Sequence, residues 1–586
     1  MYGWCGKIAR INLYDHTWSV ETLNPELLKK FIGGRGLAGY YLEKYITLDW
    51  DNPKMPLLLF TGPLVNTSSP TSGRMTLMSR SPLTGTVGDS SVGGSLGTAL
   101  KRAGFDGLFI TGKSDSLCGI EITDNTIRIT AAAHLAGKET GFVNSFLKGK
   151  GATAVIGPAA ENGVLFSSII IDRHYAAGRN GLGLVFASKN LKYISVKGNG
   201  KTNVFDPKGL KTAREDILRL VAASPALLGE FGISRFGTGA LYDLMDARRM
   251  MPTDNFRKTR FKSAPSMNAH AFKKKYNPKS TGCRGCHIQC KKVTQKGISI
   301  PEFETMSHFS ALLGNSDIST VAEANRICNE MGMDTISAAA TLACFSEISE
   351  KKLTPNEIVS LLYDIAKQKG AGIALGKGAA RYSGNCGRPD LAMAVKGQEL
   401  PAYDPRGAYG MALSYATSSR GACHLRAYPI SYEILRKPVA TDRFSFTGKA
   451  RIIKISEDLN AVIDSLTACK FIFFAVSLEE YAKVYTAVTG IKTSGQDLSK
   501  IGERIFYNER IMNAANGFTK KDDDLPARFF ESPGYKDSSI EVQPINRRDF
   551  LKARSDYYIV RKLDKEGAPV SETTRELGLE SINRDL

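Results

Sequence analysis

Three cysteines stand close together in the segment "GCRGCHIQC", residues 282 to 290. Cys283, Cys286 and Cys290 follow the spacing C-x2-C-x3-C, so a loop that leads into one helical turn can direct all three sulfurs toward one centre. Three thiolates in this arrangement are typical of a metal site. The chain must therefore fold so that a further ligand reaches this segment.

The spacing favours an iron–sulfur cluster over zinc, with a segment that binds no metal as the third alternative. No second C-x2-C pair follows to complete a zinc site, and His287 is expected to point away from the face of Cys286. Iron–sulfur clusters commonly combine three close cysteines with a remote one. Spacing alone does not choose the remote ligand from the other cysteines, which are Cys5, Cys118, Cys328, Cys344, Cys386, Cys423 and Cys469.

The length of 586 residues is enough for two to four domains. The longest apolar runs, such as "FIFFAV", are too short to span a bilayer, and the N-terminus "MYGWCGKIAR" lacks an apolar signal segment. Ten cysteines in so long a chain are too few for a disulfide framework. These features predict a cytoplasmic protein without a membrane span.

The charge balance favours anionic partners. The chain has 78 basic and 58 acidic residues, a net charge of +20, which attracts negatively charged molecules over a distance. The basic residues are dispersed, with only short clusters such as "FRKTRFK", and no nucleic-acid-binding motif is present. We therefore predict an acidic partner and no nucleic acid.

The pattern changes near residue 200. Before it, short runs such as "KIARINLY" and "GIEITDNTIRIT" alternate with Gly/Ser turns and predict stacked antiparallel sheets. From Asp206 the segments "DPKGLKTAREDILRLVAA", "DISTVAEANRICNEMGM" and "TPNEIVSLLYDIAKQKG" have helical spacing. We predict an α+β multidomain protein with a β-rich domain (1–203), a helical domain with the cysteine motif (204–396), and a helical C-terminal domain (397–586) that ends in a polar tail from about Thr519.

The whole chain resembles the tungsten-containing aldehyde ferredoxin oxidoreductases. The resemblance runs from "GWCGKIARINLYDHTWSVETL" to "TRELGLESI". Blocks in the order of that family include "TGPLVNTSSPTSGRMTLMSRSPLTG", "HYAAGRNGLGLVFASKNLKYISV", "PEFET", "MGMDTIS", "ELPAYDPRGAYG", "RGACH", "AVIDSLTAC" and "IGERIFYNER".

The resemblance implies a tungsten ion, or less often molybdenum, held by two pterin cofactors beside a [4Fe–4S] cluster. An N-terminal β domain and two helical domains would enclose them. Cys283, Cys286 and Cys290 would be three cluster ligands, and Cys469 in "DSLTAC" takes the family's position for the fourth.

The resemblance also names the residues that would hold the pterins, with Mg²⁺ as a candidate bridge between the pterin phosphates. Glycine lets backbone approach a ligand closely, and arginine pairs with phosphate. The matching positions are Arg74, Ser91, Gly93, Gly94, Ala176, Gly178, Arg179, Gly181, Asn329, Asp334, Arg420, Asp464 and Ala468.

The same comparison implies an acid–base pair. Glu304 in "PEFE" could take a proton from water or a hydrated aldehyde, and His424 in "RGACH" could polarise or protonate the carbonyl oxygen. From the residues alone, Glu302 is an equally available carboxylate, and His424 could be a core histidine bonded to backbone.

Several positions depart from the family pattern. Tyr175 stands where relatives carry arginine, Ser91 replaces asparagine, and Asn329 replaces an aspartate, so one pterin's contacts are expected to differ. In "DSLTAC" the residues Thr467 and Ala468 replace Gly-Leu. Glu323 matches a ligand of an iron shared between subunits in some members, but its histidine partner is missing, with aliphatic residues around Val359.

These observations predict an enzyme that oxidises aldehydes and passes electrons to an acidic ferredoxin or an iron–sulfur electron-transfer subunit. A homodimer is compatible with the sequence, but without a bridging iron. Two alternatives stay open at this point. The chain could be a relative that acts on a 2-hydroxy acid or an aromatic thioester, or a pterin-free Fe–S or zinc-binding scaffold.

Overall fold

Two six-stranded sheets form the framework of the first 200 residues of the computed structural model, which describes residues 1–535 and 540–580. The first sheet contains β1 (Lys7–Asn12), β2 (Thr17–Thr22), β3 (Leu57–Phe60), β4 (Met75–Arg80), β5 (Val87–Val92) and β6 (Gly107–Thr111). The second contains β7 (Cys118–Thr123), β8 (Thr126–Ala131), β9 (Ala152–Ile156), β10 (Ile169–Ile171), β11 (Tyr175–Ala177) and β12 (Leu191–Lys197). The strand orders are β2-β1-β6-β3-β4-β5 and β11-β10-β9-β12-β7-β8.

Both sheets are mixed, whereas the sequence predicted antiparallel ones. Strand β1 pairs in parallel with β6, and β7 pairs in parallel with β12. The remaining neighbours are antiparallel, as in β1 with β2 and β4 with β5. Parallel neighbours require long crossover connections. The β-rich pattern of the sequence predicts strands, but it does not predict whether neighbouring strands run parallel or antiparallel.

The centre of the first sheet is buried on both faces. In β3, Leu57 and Leu59 join a hydrophobic cluster that includes Ile120 of the second sheet. Leu58 and Phe60 point the other way and join a cluster with apolar side chains of the helical region. This alternation follows from the two-residue period of a strand. The sheet therefore lies between the second sheet and the helices.

Short helices join the strands, and longer ones follow them. Within the sheet region the helices are α1 (Pro25–Phe31), α2 (Gly34–Glu43), α3 (Leu96–Arg102), α4 (Thr140–Phe146), α5 (Pro158–Glu161) and α6 (Leu182–Ser188). The next are α7 (Pro207–Ala222), α8 (Pro225–Leu228), α9 (Ile233–Phe236), α10 (Tyr242–Ala247), α11 (Ala264–Met267), α12 (Ala269–Tyr276), α13 (Phe303–Ser307), α14 (Ile318–Met331), α15 (Thr335–Ile348), α16 (Pro355–Lys367), α17 (Gly372–Leu375) and α18 (Ala379–Asn385). The last are α19 (Tyr409–Thr417), α20 (Ile430–Glu433), α21 (Lys449–Leu466), α22 (Leu478–Thr489), α23 (Gly495–Ala515), α24 (Arg528–Glu531), α25 (Arg547–Val560) and α26 (Ser571–Glu576).

The three helices predicted after residue 200 are present and capped as their sequences indicate. Asp206 accepts a hydrogen bond from the Gly209 amide at the start of α7, and Asp317 caps α14. Thr354 and Glu357 form a capping box at the start of α16. The α+β fold with a β-rich N-terminal part and a helical remainder is thus confirmed. The three domain boundaries stay a prediction.

Two small hairpins interrupt the helical region. They are formed by β13 (Lys279–Thr281) with β14 (Lys291–Val293), and by β15 (Ala394–Val395) with β16 (Gln398–Glu399). The first hairpin carries the cysteine motif. The second leads into the segment that packs against the carboxylate of Glu304.

The segment after Thr519 is not a polar tail. It contains α25, which packs against α21, and the buried Arg561 pairs with Glu457 at 2.5 Å and Asp458 at 2.5 Å. Tyr557 also donates a hydrogen bond to Glu457, at 2.7 Å. Buried ion pairs of this kind hide charged residues that look solvent-exposed in the sequence. The C-terminal segment is therefore part of the folded helical region up to residue 580.

A buried carboxylate connects the N-terminus to the first sheet. Asp106, just before β6, accepts hydrogen bonds from the amides of Cys5 at 3.1 Å and Gly6 at 2.7 Å, and it forms an ion pair with Lys101. We expect Asp106→Asn to lower the free energy of unfolding by about 3–5 kcal/mol, because Lys101 then stays buried without a counter-charge. Urea unfolding followed by circular dichroism measures this change.

The matched control for this prediction is Asp51→Asn. Asp51 is exposed, so its loss is expected to change the free energy of unfolding by less than about 0.5 kcal/mol. Equal midpoints for the Asp106 and Asp51 variants would contradict the role assigned to Asp106.

Candidate active site

One large cavity, of about 1330 Å³, lies between the sheets and the helical region. Its wall takes residues from the sheet region, between Thr71 and Arg179, and from the helical region, between Leu220 and Ser499. A cavity of this size at the junction of two structural layers is a typical place for a bound cofactor and substrate.

Most of the predicted site residues line this cavity. They are Arg74, Ser91, Gly93, Ala176, Gly178, Arg179, Cys283, Cys286, Cys290, Glu304, Asn329, Asp334, Arg420, His424, Asp464 and Cys469. Gly94, Gly181 and Ala468 are not among its lining residues. Gly181 serves a tight turn, because its φ is +70° and a Cβ there would lie 1.9 Å from the Leu165 carbonyl oxygen. Ala468 is fully buried.

The cysteine motif forms the tip of the β13–β14 hairpin and does not enter a helical turn. The Cys286 amide donates to the Cys283 carbonyl at 3.0 Å, which closes a turn. Gly285 (φ +71°) and Gln289 (φ +49°) adopt left-handed backbone within it. Such turns let three sulfurs approach one region as well as a helix would, and spacing alone does not distinguish the two.

Cys469 reaches the same region from the end of α21. Its amide donates to the Thr71 carbonyl at 3.0 Å, and the Arg74 amide donates to the Thr467 carbonyl at 3.2 Å. Burial raises the pKa of Cys469 to about 11, Arg74 opposes this, and the charges of Cys286 and Cys283 add to it. The four thiols are thus electrostatic neighbours in one cavity.

Gly93 and Gly94 lie against the cysteine motif. A Cβ at Gly93 would stand 2.6 Å from the Cys283 sulfur and 3.1 Å from the Tyr175 ring. The Gly94 amide lies 3.4 Å from the same sulfur. Only glycine permits this approach. Both glycines therefore pack against the cysteine motif.

Arg74 lies between the cysteines and β5. Its Nε donates to the Ser91 hydroxyl at 3.0 Å, and its Nη2 donates to the Ser91 carbonyl at 2.5 Å. Burial disfavours the charged form of Arg74, but the negative charges of Cys469 and Cys283 outweigh it and raise its pKa. The guanidinium stays charged next to both groups.

Arg179 and Asp334 form an ion pair on the opposite wall, with Nε and Oδ2 3.3 Å apart. Arg179 also donates to the Glu399 carbonyl at 2.6 Å. Asp334 caps α15 by accepting from the Ile336 and Ser337 amides. Asn329 lies near the end of α14, where its carbonyl accepts from Thr140. Asp334 therefore has a structural role in addition to its place in the cavity wall.

Asp464 is a buried carboxylate between two cations. Its Oδ2 lies 2.8 Å from Lys470 Nζ and 3.6 Å from Arg35 Nη1. Its Oδ1 is buried without a hydrogen-bond partner among the described residues. An unpaired buried carboxylate oxygen is costly, and it commonly indicates a group that a ligand satisfies.

Arg420 is held by the backbone and by a thiol. It donates to the Asp89 carbonyl, and its Nε and Nη2 lie 3.2 and 3.0 Å from the Cys423 sulfur. Burial disfavours the thiolate of Cys423, but Arg420 and Arg426 outweigh burial and lower its pKa. Both arginines also form ion pairs with the buried carboxylate of Asp89, which balances part of their positive charge.

Glu304 and His424 face each other across the cavity wall. Glu304 Oε1 lies 3.6 Å from His424 Nε2, and its Oε2 accepts from the Ala402 amide at 2.8 Å. Glu304 lies on α13, which continues into a π-helical turn at His308–Leu312, a local irregularity that is frequent at functional sites. Glu304 Oε1 and His424 Nδ1 have no hydrogen-bond partner within the described chain.

The two side chains have shifted pKa values of opposite sign. Burial raises the pKa of Glu304 to about 8, although the Ala402 amide and Arg179 oppose the shift. Burial and the charges of Arg179 and Arg420 lower the pKa of His424 well below its ordinary value. Near neutral pH the pair therefore consists of a largely protonated carboxyl and a neutral imidazole, a combination suited to proton transfer.

Glu302 has a different environment. Its carboxylate forms an ion pair with Lys291 at 2.7 Å, and this neighbour, more than any other, lowers its pKa. It is thus ionised and paired beside the cysteine hairpin. Of the two carboxylates, Glu304 is the one with an unpartnered oxygen next to a histidine.

Two titratable residues in contact with predicted site residues were not themselves predicted. His308 lies directly below Glu304, with Nδ1 2.8 Å from the Glu304 carbonyl oxygen, and burial lowers its pKa to about 4. Its position four residues after Glu304 on a helix was the available signal. Lys470, which follows Cys469, donates to the Leu425 carbonyl at 2.8 Å as well as pairing with Asp464.

In the described ranges, 1–535 and 540–580, no single helix is long and apolar enough to cross a membrane. Residues 207–222 and 225–247 pass the length and composition criteria only when taken together as a pair bent by 71°.

Comparisons with known proteins agree along the whole chain. Residues 8–198 match the N-terminal domain of aldehyde ferredoxin oxidoreductase, and residues 212–579 match domains 2 and 3 of the same family. The tungsten-containing aldehyde ferredoxin oxidoreductase of Pyrococcus furiosus is 36% identical over 608 residues, covering 99% of both chains. The corresponding protein of Thermococcus kodakarensis is also 36% identical, with the same coverage.

More distant relatives have other names. The WOR-like subunit of an aliphatic sulfonate oxidoreductase from Pyrococcus furiosus is 26% identical over 647 residues. The BamBC active site complex of benzoyl coenzyme A reductase, solved with 1,5-dienoyl-CoA, superposes with a TM-score of 0.85, 20% identity, and coverage of 99% and 98%. At that identity the superposition establishes the fold alone. On the family matches and the full-length identities, the chain belongs to the aldehyde ferredoxin oxidoreductase family of enzymes.

Proposed function

We propose that this protein oxidises aldehydes to carboxylic acids at a tungsten bis-pterin centre, with molybdenum as the alternative metal. A [4Fe–4S] cluster would transfer the electrons to an acidic ferredoxin or an iron–sulfur electron-transfer subunit. The observation that carries the proposal is the Glu304–His424 pair, 3.6 Å apart, in the same cavity as four cysteines.

The residues of the cavity suit a large anionic cofactor. The cavity of about 1330 Å³ has room for one, and Arg74, Arg179 and Arg420 line it. Arginine is the residue best suited to binding phosphate groups. Asp464 Oδ1 is buried without a hydrogen-bond partner among the described residues, so it is available to accept from an N–H group of a bound ring. The pterin-held metal, when bound, supplies the acceptor for the two electrons of aldehyde oxidation.

The four thiols suit an iron–sulfur cluster. Cys283, Cys286, Cys290 and Cys469 line one cavity. Four cysteines spaced around a shared volume are the ligand set of a [4Fe–4S] cluster. We propose these four residues as its ligands.

The acid–base pair defines the proton steps. Glu304, once deprotonated, accepts a proton from water or from the hydrated aldehyde through Oε1, while the Ala402 amide holds Oε2. His424 has a strongly lowered pKa, so it acts as a neutral hydrogen-bond donor to the carbonyl oxygen, and not as an imidazolium. A neutral donor still polarises a carbonyl.

The proposal includes the partners. The net charge of +20 favours an acidic electron acceptor. Glu323 is tied to Arg326 by an ion pair of 2.6 Å on the same helix, in keeping with a homodimer, if formed, that lacks a bridging iron. We also propose a cytoplasmic location and Mg²⁺ between the pterin phosphates.

Metal analysis and an aldehyde panel test the proposal. The purified protein is expected to contain about one tungsten and about four irons per chain and to reduce a viologen dye with aldehydes. Full tungsten loading without aldehyde oxidation, or turnover of a 2-hydroxy acid or benzoyl coenzyme A in its place, would reject the aldehyde function. Iron or zinc without tungsten or molybdenum would indicate the scaffold alternative.

A further inference from the structure

An aromatic wall extends from the Glu304–His424 pair along the cavity. The ring centroids of Tyr403 and His424 are 5.6 Å apart, those of His424 and Tyr428 are 6.2 Å apart, and those of Tyr428 and Phe474 are 5.9 Å apart. All four side chains line the cavity. These separations match those of interacting aromatic pairs, so the rings form one continuous surface beside the proposed reaction centre.

Tyr428 adopts a strained backbone conformation in this wall. Its φ is +52°, the left-handed region that bulky residues avoid. Its carbonyl accepts from the Ser431 amide at 3.2 Å and from the Ser431 hydroxyl at 3.1 Å, and its own hydroxyl lies 3.2 Å from that of Tyr403. Backbone strain of this kind persists where the surroundings hold it, and it concentrates at ligand-binding sites.

The outer part of the cavity is apolar as well. Leu220 and Ile455 line it and are among the exposed large hydrophobic side chains, with 37% and 56% of their surface exposed. Leu435, Leu459 and Phe471 lie on the same wall. Exposed apolar residues grouped at a cavity commonly mark a binding path for an apolar ligand. Apolar side chains suited to a hydrophobic substrate therefore line the cavity both at its exposed residues and beside His424.

We propose that this wall selects aldehydes that carry an aromatic ring, and that Tyr428 is a specificity-determining residue. The inference rests on the proposed aldehyde oxidation and adds the substrate class. A ring placed against the Tyr428–Phe474 pair makes edge and face contacts that a saturated group of equal size does not. The aldehyde carbon of such a substrate then lies next to Glu304 and His424.

The holoenzyme tests the inference with three aldehydes that differ in one property at a time. Benzaldehyde carries an aromatic ring, cyclohexanecarbaldehyde carries a saturated ring of similar size, and acetaldehyde carries neither. We expect kcat/KM for benzaldehyde to exceed that for acetaldehyde by about tenfold to a hundredfold, and that for cyclohexanecarbaldehyde to lie at least about threefold below benzaldehyde. The difference should reside mainly in KM.

Two variants assign the effect to Tyr428. Tyr428→Phe retains the ring and is expected to keep the benzaldehyde-to-acetaldehyde ratio within about threefold of the parent. Tyr428→Asn removes the ring but tolerates left-handed backbone, and it should lower that ratio by about tenfold. Tungsten and iron contents equal to those of the parent show that the variants are folded and loaded.

Equilibrium dialysis with benzoate, the product of benzaldehyde oxidation, gives a measurement independent of turnover. Benzoate should bind the parent and Tyr428→Phe more tightly than Tyr428→Asn by about tenfold, and acetate should not distinguish them. Aldehyde oxidation without a ring preference, or the same benzoate affinity in all three proteins, overturns the inference. Absence of all aldehyde oxidation rejects the proposed function, while benzoate binding still decides the role of the wall.

Discussion

Replacing Glu304 with glutamine is expected to lower kcat for aldehyde oxidation by about two to four orders of magnitude. Glutamine keeps the size of the side chain and can still accept from the Ala402 amide, but it cannot exchange a proton at the atom that faces His424 Nε2 at 3.6 Å. Viologen-linked turnover of the loaded enzyme measures the loss. Tungsten and iron contents should stay at parental values, because Glu304 holds neither metal.

Glu302→Gln is the matched control, since it makes the same change two residues away. Glu302 is paired with Lys291 at 2.7 Å and is already ionised, so the cost to kcat should be less than about tenfold. Equal losses in the two variants would contradict the assignment of Glu304 as the proton acceptor.

The pH dependence provides a further check on Glu304. Its pKa is raised to about 8 from the ordinary value, so the basic form becomes populated only as the pH rises through 8. The parental kcat/KM should accordingly increase about tenfold per pH unit below 8 and level off above it. A profile already flat from pH 6 to pH 8 would show that Glu304 is not the required base.

Replacing Cys469 with serine is expected to remove the iron–sulfur absorbance and nearly all aldehyde-dependent dye reduction. The serine variant retains only three of the four thiols that a [4Fe–4S] cluster requires as ligands. Iron content should fall from about four per chain toward zero, measured by metal analysis together with the visible spectrum. The spectrum reports on the cluster without reference to activity.

Cys386→Ser is the control for this prediction, because Cys386 is an exposed cysteine outside the cavity. It should retain parental iron and absorbance. An intact cluster in the Cys469 variant would remove Cys469 from the ligand set and leave the remote ligand to be found among the other cysteines.

Local features of the fold were readable from the sequence, and long-range ones were not. The starts of α7, α14 and α16 follow from Asp206, Asp317 and Thr354, because capping depends on a few neighbouring residues. The parallel pairing of β1 with β6 depends on residues nearly a hundred positions apart, and nothing local encodes it. The buried Arg561 likewise looks like a surface charge until Glu457 and Asp458 are brought to it.

In the site, too, local features could be predicted from the sequence and long-range contacts could not. The spacing of Cys283, Cys286 and Cys290 indicates a metal by itself, whereas Cys469 could be named only from resemblance, since it is one of seven further cysteines. Glu304 was likewise named only from resemblance, and the structure adds the physical difference from Glu302, which is the Lys291 ion pair on Glu302 and the histidine that faces Glu304. Tyr428 was not predicted, because the residues next to it in the sequence do not indicate a left-handed backbone conformation.

The β13–β14 hairpin and the end of α21 have a consequence for how the protein matures. The nearest hairpin thiol, Cys290, is 179 residues from Cys469 along the chain, and the end of α21 is held to the sheet region by the hydrogen bonds from Cys469 to Thr71 and from Arg74 to Thr467. A nascent chain released before α21 docks on the sheet region thus presents an incomplete set of thiols. If the four proposed thiols bind the cluster, their site is complete only in chains whose distant segments have already come together, and iron uptake is expected to be a late event in biogenesis.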